Sequence, residues 1–279
     1  MAAATPARRT ACRSYVVIPA RLESTRLPRK LLLRETGKTL IQHTCEAAGQ
    51  AKHPDGVCVA TDHRSIVEEV ERFGGTAYLT NPNAASGTDR VAEVAKKLDQ
   101  YDIIVNVQGD EPELSGASID LAVRLLQQNP DAVMSTLATP IRRRGQLDDP
   151  ACVKVVFDRR GRALYFSRSP IPCARDWNNS LLTDDPPHFF QHIGLYAYRR
   201  EFLLQLAHMP PSSLEKLEKL EQLRVLEAGH AILVGEVDEP GAGIDTPADY
   251  QAFVARFNRL HASPVVFPGT TSPGSERVA

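Results

Sequence analysis

The sequence predicts an α/β fold: a mostly parallel mixed central sheet flanked by helices, with an antiparallel part in the second half. Three observations lead to this prediction. Short apolar runs bounded by turn residues recur in the first half, stretches with helical spacing of apolar residues lie between them, and a hairpin pattern follows later. Alternating strands and helices are typical of parallel sheets, because each helix returns the chain across one face of the sheet.

Short runs of apolar and β-branched residues predict the first strands, each buried on both faces. These runs lie at 16–19, 57–61, 77–80 and 103–107. Apolar residues at helical spacing predict helices between them, at 40–51, 66–73 and 91–98. The alternation continues with a helix at 119–126 and a strand at 132–138.

The second half begins with a hairpin pattern. Two runs at 153–158 and 163–167 flank the turn Arg159-Arg160-Gly161, which favours antiparallel pairing. Further strands are predicted at 192–198 and 231–237. A last helix begins near Thr246, since this cap residue is followed by Pro247 and by the acidic Asp249.

Leucines recur at a spacing of three residues in the second half: Leu214, Leu217, Leu220, Leu223 and Leu226. Ser212 or Ser213 can cap a helix that carries them. Since three residues turn a helix by about 300°, these leucines spiral around it and do not form the seam of a coiled coil. The spacing therefore predicts one largely buried helix over 214–226.

Composition and charge exclude several classes of function. The chain has 279 residues, with 33 Lys and Arg against 34 Asp and Glu, so no overall field attracts nucleic acid or an anionic membrane. The longest uncharged stretch, 260–275, is rich in Pro, Gly, Ser and Thr and is unlike the roughly 20 apolar residues of a membrane span. We expect neither nucleic acid nor a membrane as a partner.

The cysteines indicate the compartment. Five cysteines are scattered without CxxC spacing, which favours a reducing compartment over a disulfide framework. The apolar run at 15–20 is too short for a secretory signal, so we expect a cytoplasmic protein. Residues 1–14 and 259–279 have the composition of disordered tails.

A basic loop follows the first strand directly, at 19–30. It holds two prolines, two hydroxyl residues and the cations Arg21, Arg26, Arg29 and Lys30. Ligands of parallel α/β sheets sit outside the carboxyl ends of the strands, where Arg and Lys hold phosphates. This position favours an anion site over a solvated surface loop. Neither GxxxxGK[ST] nor GxGxxG occurs, so P-loop ATPases and dinucleotide dehydrogenases lose support.

Two carboxylates are candidate Mg²⁺ ligands. Asp110 follows the fourth strand, after Gly109 and shortly before Pro112, and Asp245 lies just before the last helix. Gly-Asp is also common turn chemistry, and an acidic residue near a helix start also stabilises the helix. Mg²⁺ typically uses one or two carboxylates together with substrate phosphates, so this pair suffices. His188 and His192 have the separation of zincin ligands, but no Glu follows His188, and this argues against a zinc site.

Several motifs occur in order between residues 15 and 258. They read A-R-L-E-S-T-R-L-P-R-K, S-G-T-D-R, N-V-Q-G-D-E-P, V-K-V-V-F-D, L-Y-F-S-R-S-P-I-P, Q-H-I-G-L-Y-A-Y, L-E-K-L-E-Q-L-R and G-I-D-T-P-A-D. Each motif is weak alone, but their ordered conjunction is specific. Together they closely resemble the 3-deoxy-manno-octulosonate (KDO) cytidylyltransferases, also called CMP-KDO synthetases. At Arg29 the loop departs from the family pattern, which often has Gly there.

The resemblance implies a Rossmann-like nucleotidyltransferase fold in a single domain over 15–258. Residues 15–130 would mainly bind nucleotide, and 131–258 would mainly serve sugar binding and dimerisation. The resemblance further implies a cytoplasmic, Mg²⁺-dependent homodimer. Such an enzyme would convert CTP and KDO into CMP-KDO and pyrophosphate, which activates the sugar for lipopolysaccharide biosynthesis.

The resemblance also implies roles for individual residues. The catalytic group would be Arg21, Lys30, Asp110 and Asp245, of which Asp110 and Asp245 would bind Mg²⁺. The residues expected around CTP are Arg21, Ser24, Thr25, Arg26, Lys30, Ser86, Gly87 and Arg90. Those expected around the sugar are Gln108, Arg168, His192, Tyr196, Glu221 and Gln222. Arg168 is a natural partner for the sugar carboxylate.

Two other functions are compatible with these motifs. A cytidylyltransferase for another acidic sugar, such as a sialic acid, would also use a basic loop of this kind. The motifs Q-H-I-G-L-Y and L-E-K-L-E-Q-L-R favour KDO over such a sugar. A noncatalytic CTP-binding module is a rival of another class, but it has no need of two carboxylates poised for a metal. For the oligomeric state, the apolar residues at 189–196 predict a strand with one face in need of cover. A second copy of the chain would supply that cover, and the leucine helix of the same chain is the alternative.

Overall fold

Parallel strands of the first half form one side of a single sheet. The computed structural model describes residues 12–238 and 241–261. Its first strands are β1 (Ser14–Ala20), β2 (Pro54–Thr61), β3 (Thr76–Leu79) and β4 (Ile103–Asn106). They lie in the order β3-β2-β1-β4, and every neighbouring pair is parallel. The four strands predicted for this half are confirmed.

Helices cover both faces of this part of the sheet. They are a short 3₁₀ helix (Lys30–Leu32), α1 (Leu40–Ala48), α2 (Arg64–Arg72), α3 (Gly87–Ala95) and α4 (Gly116–Gln128). The apolar side chains of α1, α2 and α4 pack in one buried cluster, whereas those of α3 pack in a second. Each helix therefore buries the apolar stripe that its spacing predicted.

The second half inserts an antiparallel strand into the sheet. Its elements are β5 (Met134–Pro140), α5 (Arg144–Asp148), β6 (Lys154–Phe157), β7 (Ala163–Ser167), a 3₁₀ helix (Asn179–Leu182), β8 (Phe190–Arg199), α6 (Arg200–Leu206), α7 (Ser213–Glu218), α8 (Gln222–Glu227), β9 (Ile232–Glu236) and α9 (Pro247–His261). β8 pairs antiparallel with β4 and β5, and β9 pairs parallel with β5. β6 and β7 form the predicted hairpin. The predicted mostly parallel sheet with an antiparallel part is confirmed.

The prediction of one helix over the five leucines is wrong. The segment forms two short helices, α7 and α8, because the chain turns at Lys219, whose φ is 55°. Leu220 and Leu223 are buried, but Leu217 is 80% exposed. The break redirects the chain, so the leucines no longer share one helix axis. Ser212 caps α7, in accordance with the predicted cap.

Of the two covers predicted for the apolar face of the 189–196 strand, the structure shows the one supplied by the same chain. β8 lies between β4 and β5, so the sheet continues on both of its sides. Ile193 and Leu195 are buried in one apolar cluster, and Tyr198 is buried in the other together with Leu220 and Leu223. The same chain therefore covers this strand, and the homodimer stays a prediction without this support.

The ends of the chain are described only in part. The predicted tails at 1–14 and 259–279 lie for the most part outside the described residues. Ser14 is already the first residue of β1, and α9 continues to His261, so the folded unit extends a few residues past the predicted bounds. Within the described ranges, no helix has the length and apolar character needed to cross a bilayer.

The strand order creates a crevice at one edge of the sheet. The chain runs outward from β1 to β2 and β3 and then returns to the other side of β1 as β4. Where the order of parallel strands reverses in this way, the loops at the carboxyl ends diverge and leave room for a ligand. The basic loop is the segment that follows β1 at this edge, and Asp110 lies in the loop that follows β4.

Candidate active site

A cavity of about 350 Å³ opens at the carboxyl ends of β1 and β4. Many of the predicted site residues line it, together with Glu23 and parts of the neighbouring backbone. They are Arg21, Ser24, Lys30, Ser86, Gly87, Arg90, Gln108, Asp110 and Asp245. The structure thus brings the basic loop, the start of α3 and both carboxylates to one place.

The basic loop turns sharply just before Lys30. Arg29 has φ 54° and ψ 30°, the left-handed region that favours glycine, and a 3₁₀ helix begins at the next residue. This is the position at which the resembled family often has Gly. The arginine here adopts the backbone that a glycine would adopt more easily, and the turn still delivers Lys30 into the cavity.

Lys30 lies at the centre of the site. Its Nζ contacts Asp110 Oδ2. The same Nζ donates to Asp245 Oδ1 at 3.0 Å and to the carbonyl oxygen of Ile244 at 3.0 Å. The Lys30 side chain is only 13% exposed, so the ammonium is largely withdrawn from water. Arg26 Nη2 also pairs with Asp245 Oδ2, at 3.0 Å, from the exposed side of the loop.

Two backbone arrangements place the carboxylates side by side. The N–H of Ile244 donates to the carbonyl of Asp110 at 2.9 Å, which ties the start of the last helix to the end of β4. A side chain at Gly109 would meet the Pro19 carbonyl at 3.1 Å, so glycine permits this close approach. Thr246 caps α9, as the helix-start pattern predicted: its Oγ1 accepts from the N–H of Asp249, and the Asp249 carboxylate accepts from the N–H groups of Asp245 and Thr246.

The oxygen atoms around the Lys30 ammonium are suitable ligands for a divalent cation. Asp110, Asp245 and the Ile244 carbonyl point oxygen atoms at one place, which the Lys30 ammonium fills. Carboxylate and carbonyl oxygens are the ligands that Mg²⁺ prefers. The residues are therefore suited to hold Mg²⁺, provided that Lys30 moves aside.

The start of α3 forms the opposite wall of the cavity. Ser86 caps this helix, and its side chain and that of Asp89 satisfy each other's backbone N–H. The side chain of Arg90 is 6% exposed and forms an ion pair with Asp62 at 3.2 Å. A helix N-terminus and a buried guanidinium both favour a bound anion.

The predicted sugar residues on β8 and at the start of α8, namely His192, Tyr196, Glu221 and Gln222, do not line this cavity and are buried or half-buried. The His192 and Tyr196 rings lie 5.4 Å apart, and the Tyr196 hydroxyl donates to Gln222 Oε1 at 3.4 Å. His192 Nε2 lies 2.9 Å from Thr136 Oγ1, and this hydroxyl also lies within hydrogen-bond distance of the carbonyls of Ile193, at 3.0 Å, and Leu195, at 2.8 Å. When the hydroxyl proton goes to either carbonyl, Nε2 donates to Thr136 and Nδ1 is left as an acceptor. Burial lowers the pKa of His192 to about 3, so the ring is neutral.

Glu221 connects the two halves of the site. Burial raises the pKa of Glu221, and hydrogen bonds from Thr88 and Ser86, with the Arg224 charge, offset part of this rise. Ser86 and Thr88 belong to the start of α3 on the nucleotide side. A residue predicted near the sugar therefore touches the helix predicted to meet the nucleotide.

The structure does not bring every predicted residue to the cavity. Arg168 Nε donates to the carbonyl of Glu218 at 2.7 Å and Nη1 donates to that of Pro150 at 3.0 Å, so much of its guanidinium is engaged by the backbone near the α7–α8 break. Thr25 is exposed on the loop and does not line the cavity. The roles predicted for these two residues, and for the other site residues, stay predictions.

Two acidic residues near the cavity were not predicted from the sequence. Asp62, directly after β2, bridges the basic loop and α3. Glu111 is half-buried beside Asp110, and its buried Oε2 has no hydrogen-bond partner among the described residues. Burial, and then the charge of Asp110, raise the pKa of Glu111 to about 8. A carboxylate directly after a buried strand was the signal that identified Asp110, and it also applies to Asp62.

The chain is similar to known proteins over most of its length. Residues 15–232 match the cytidylyltransferase family model. The 3-deoxy-manno-octulosonate cytidylyltransferase of Rhodopirellula baltica is 50% identical over 242 residues, which cover 86% of this chain and 97% of the relative. That of Syntrophotalea carbinolica is 50% identical over 235 residues, covering 84% and 94%.

A solved structure is also similar. A CMP:2-keto-3-deoxy-manno-octonic acid synthetase complexed with CTP superposes with a TM-score of 0.82 at 40% identity, covering 89% of this chain and 99% of that one. Both the sequence likeness and the structural likeness extend over nearly the whole of these relatives. The chain therefore belongs to the 3-deoxy-manno-octulosonate cytidylyltransferase family.

Proposed function

We propose that the protein transfers CMP from CTP to the anomeric hydroxyl of KDO, giving CMP-KDO and pyrophosphate for lipopolysaccharide biosynthesis. One observation carries this proposal: a basic loop and two carboxylates meet around Lys30 in a cavity at the switch point of the sheet. Relatives named for this reaction, at up to 50% identity over most of their length, support the choice of substrates.

In this proposal the first half of the chain binds CTP. Arg21 and Lys30 bind the triphosphate, with Ser24, Thr25 and Arg26 along the same loop, and Ser86, Gly87 and Arg90 complete the nucleotide site. Arg forms paired hydrogen bonds to phosphate, whereas Lys acts as a point charge. The chemistry is an in-line displacement at the α-phosphorus, for which the residues mainly supply positioning and neutralisation of charge.

The second half orients the sugar. Gln108 lines the cavity between the two halves, and the neutral His192 offers its Nδ1 lone pair to a sugar hydroxyl. Tyr196, Glu221 and Gln222 supply further polar contacts, and the unpartnered Gln222 Nε2 is one of the few buried donors left unsatisfied among the described residues. Arg168 binds the sugar carboxylate with the donors that its backbone contacts leave free.

The proposal includes Mg²⁺, held by Asp110 and Asp245. When bound there, Mg²⁺ would neutralise phosphate charge and lower the pKa of a coordinated hydroxyl. Lys30 would then leave the two carboxylates and place its ammonium against the phosphates. The convergence of two carboxylates on one cationic position supports this assignment.

A panel of substrates tests the proposed reaction. Pyrophosphate release is measured with each of four nucleoside triphosphates, in the presence of KDO, a sialic acid or no sugar. We expect release only with CTP and KDO together. Release with a sialic acid instead would make the chain a cytidylyltransferase for another acidic sugar. CTP binding without any release would leave a noncatalytic module.

The proposal also extends to assembly and location. We propose a cytoplasmic homodimer formed through the second half, supported by the family resemblance. Sedimentation at micromolar concentration should give twice the 30.7 kDa mass of the chain. A monomer with full activity would contradict the dimer and leave the reaction untouched.

A further inference from the structure

Asp62 joins the two walls of the nucleotide cavity. Its Oδ1 accepts from the backbone N–H of Leu22 at 3.1 Å, and its Oδ2 accepts from Arg90 Nη2 at 3.2 Å. Leu22 lies in the basic loop after β1, and Arg90 lies on α3. One carboxylate at the end of β2 thus spans two segments that are far apart in the chain.

The partners of Asp62 lead directly to the cavity. Leu22 lies between Arg21 and Glu23, both of which line the cavity, and Arg90 lines it from the other wall. Asp62 itself is not among the lining residues, and its side chain is 19% exposed. Its effect on a nucleotide must therefore pass through the loop and through Arg90.

Arg90 depends on Asp62 for its orientation and charge balance. Arg90 Nη1 donates to Thr80 Oγ1 at 2.7 Å, so hydroxyl and carboxylate hold the guanidinium on neighbouring nitrogens. Within the described ranges, Asp62 forms the ion pair that compensates this buried charge. Removing it would leave a buried guanidinium without a counter-ion, which is costly in a protein interior.

The segment that carries Asp62 is itself fixed. Thr61 ends β2, and its Oγ1 accepts from the N–H of His63 at 3.3 Å. The His63 ring in turn caps α2 by accepting from the N–H of Ser65 at 3.1 Å. Asp62 is therefore held between a strand and a helix cap, and it can serve as a rigid support for the loop.

We infer that Asp62 is a positioning residue for CTP, which sets the basic loop and Arg90 at the spacing that the nucleotide requires. This inference rests on the proposed function. Asp62 acts on nucleotide binding and leaves the sugar side unaffected, because neither of its partners belongs to β8 or α8.

Equilibrium titration of the full chain with CTP, without sugar, tests this role. Asp62→Ala removes both contacts and should weaken CTP binding by roughly ten- to a hundredfold, the range for lost charge-assisted hydrogen bonds. Asp62→Asn keeps an oxygen for the Leu22 N–H but loses the ion pair, so it should weaken binding by about three- to tenfold. Asp55→Ala is the matched control, since Asp55 lies at the other end of β2 and pairs with the exposed Arg13.

Steady-state kinetics separate positioning from general damage. We expect a raised KM for CTP, an unchanged KM for KDO and a nearly unchanged kcat at saturating CTP in the Asp62 variants. Equal losses for CTP and KDO, with a lower melting temperature, would overturn the inference in favour of a structural role. Should Asp62→Ala fail to fold, Asp62→Asn decides alone, and wild-type affinity in that folded variant would overturn the inference.

The wild-type titration distinguishes a failure of the proposed function from a failure of the role assigned to Asp62. A wild-type chain that does not bind CTP would overturn the proposed function, and the role of Asp62 with it. A wild-type chain that binds CTP, next to an Asp62→Ala variant of equal affinity, would overturn the role of Asp62 alone.

Discussion

The ammonium of Lys30 lies between the carboxylates of Asp110 and Asp245, in contact with both. Lys30 comes from the loop after β1, Asp110 follows β4, and Asp245 precedes α9. The lysine therefore holds together three segments and compensates two negative charges that would otherwise repel each other. A divalent cation at the same carboxylates has to compete with it.

The first prediction concerns this competition. Lys30→Met should increase the affinity for Mg²⁺ in the absence of CTP by about tenfold, because the two carboxylates lose their internal cation. Turnover should fall in the same variant, since the phosphates lose a cationic partner. Calorimetric titration of the nucleotide-free protein with MgCl₂ measures the first effect.

Lys38→Met is the control for the loss of a lysine. Lys38 pairs with Glu46 on the surface at 2.6 Å and does not line the cavity. It should leave Mg²⁺ affinity at the wild-type level. Equal Mg²⁺ affinity in wild type and Lys30→Met would show that the lysine does not compete for the carboxylates.

The second prediction concerns the carboxylates themselves. Asp110→Asn or Asp245→Asn should lower turnover on the order of a thousandfold, which corresponds to several kcal/mol of transition-state stabilisation. The amide keeps the shape of the side chain but loses the charge that holds a cation. Pyrophosphate release at saturating Mg²⁺ measures the effect, and near-normal rates in either folded variant would contradict the shared metal site.

The first half of the fold and the nucleotide side of the cavity could be predicted from local sequence. The residues at 57–61 lie within β2, because a β-branched run buried on both faces has few alternatives to a strand. Asp110 could be found because it follows such a run directly. These signals lie within a few residues of the feature they predict.

The remainder depends on contacts between distant segments. The insertion of β8 between β4 and β5 covers the apolar strand, and no local pattern specifies this pairing. The helix break at Lys219 could not be predicted from the sequence, because no glycine marks the left-handed residue. The break also positions the Glu218 carbonyl, which accepts from Arg168. The bridge from Asp62 to Leu22 uses a backbone N–H, which every residue except proline has.

The third prediction separates the two substrates. Arg26→Ala should chiefly weaken CTP binding, and Arg168→Ala should chiefly weaken KDO binding, each by roughly ten- to a hundredfold. Arg26 is exposed, so its effect should lie near the lower end of that range. Separate titrations with CTP and KDO measure the split.

Arg143→Ala provides the control for this pair. Arg143 is exposed and belongs to a basic stretch to which no role is assigned. Both affinities should stay at the wild-type level in this variant. A loss of CTP affinity alone in Arg168→Ala would show that the sugar site is misassigned.

The fourth prediction concerns acid stability. Burial lowers the pKa of His192 to about 3, against 6.5 for an ordinary histidine, so between these values the unfolded chain binds a proton that the native state does not. His192 therefore favours the native state less and less as the pH falls from about 6.5 towards 3, by up to ~1.4 kcal/mol per pH unit. His192→Gln keeps a donor for Thr136 and removes the titration. Its loss of unfolding free energy between pH 7 and pH 4.5, measured by urea denaturation, should be smaller than that of wild type by about 2 kcal/mol.

His188→Gln replaces an exposed histidine that pairs with Asp184, and it serves as the control. Parallel pH profiles for wild type and His192→Gln would mean that the His192 ring is already accessible to protons in the native state.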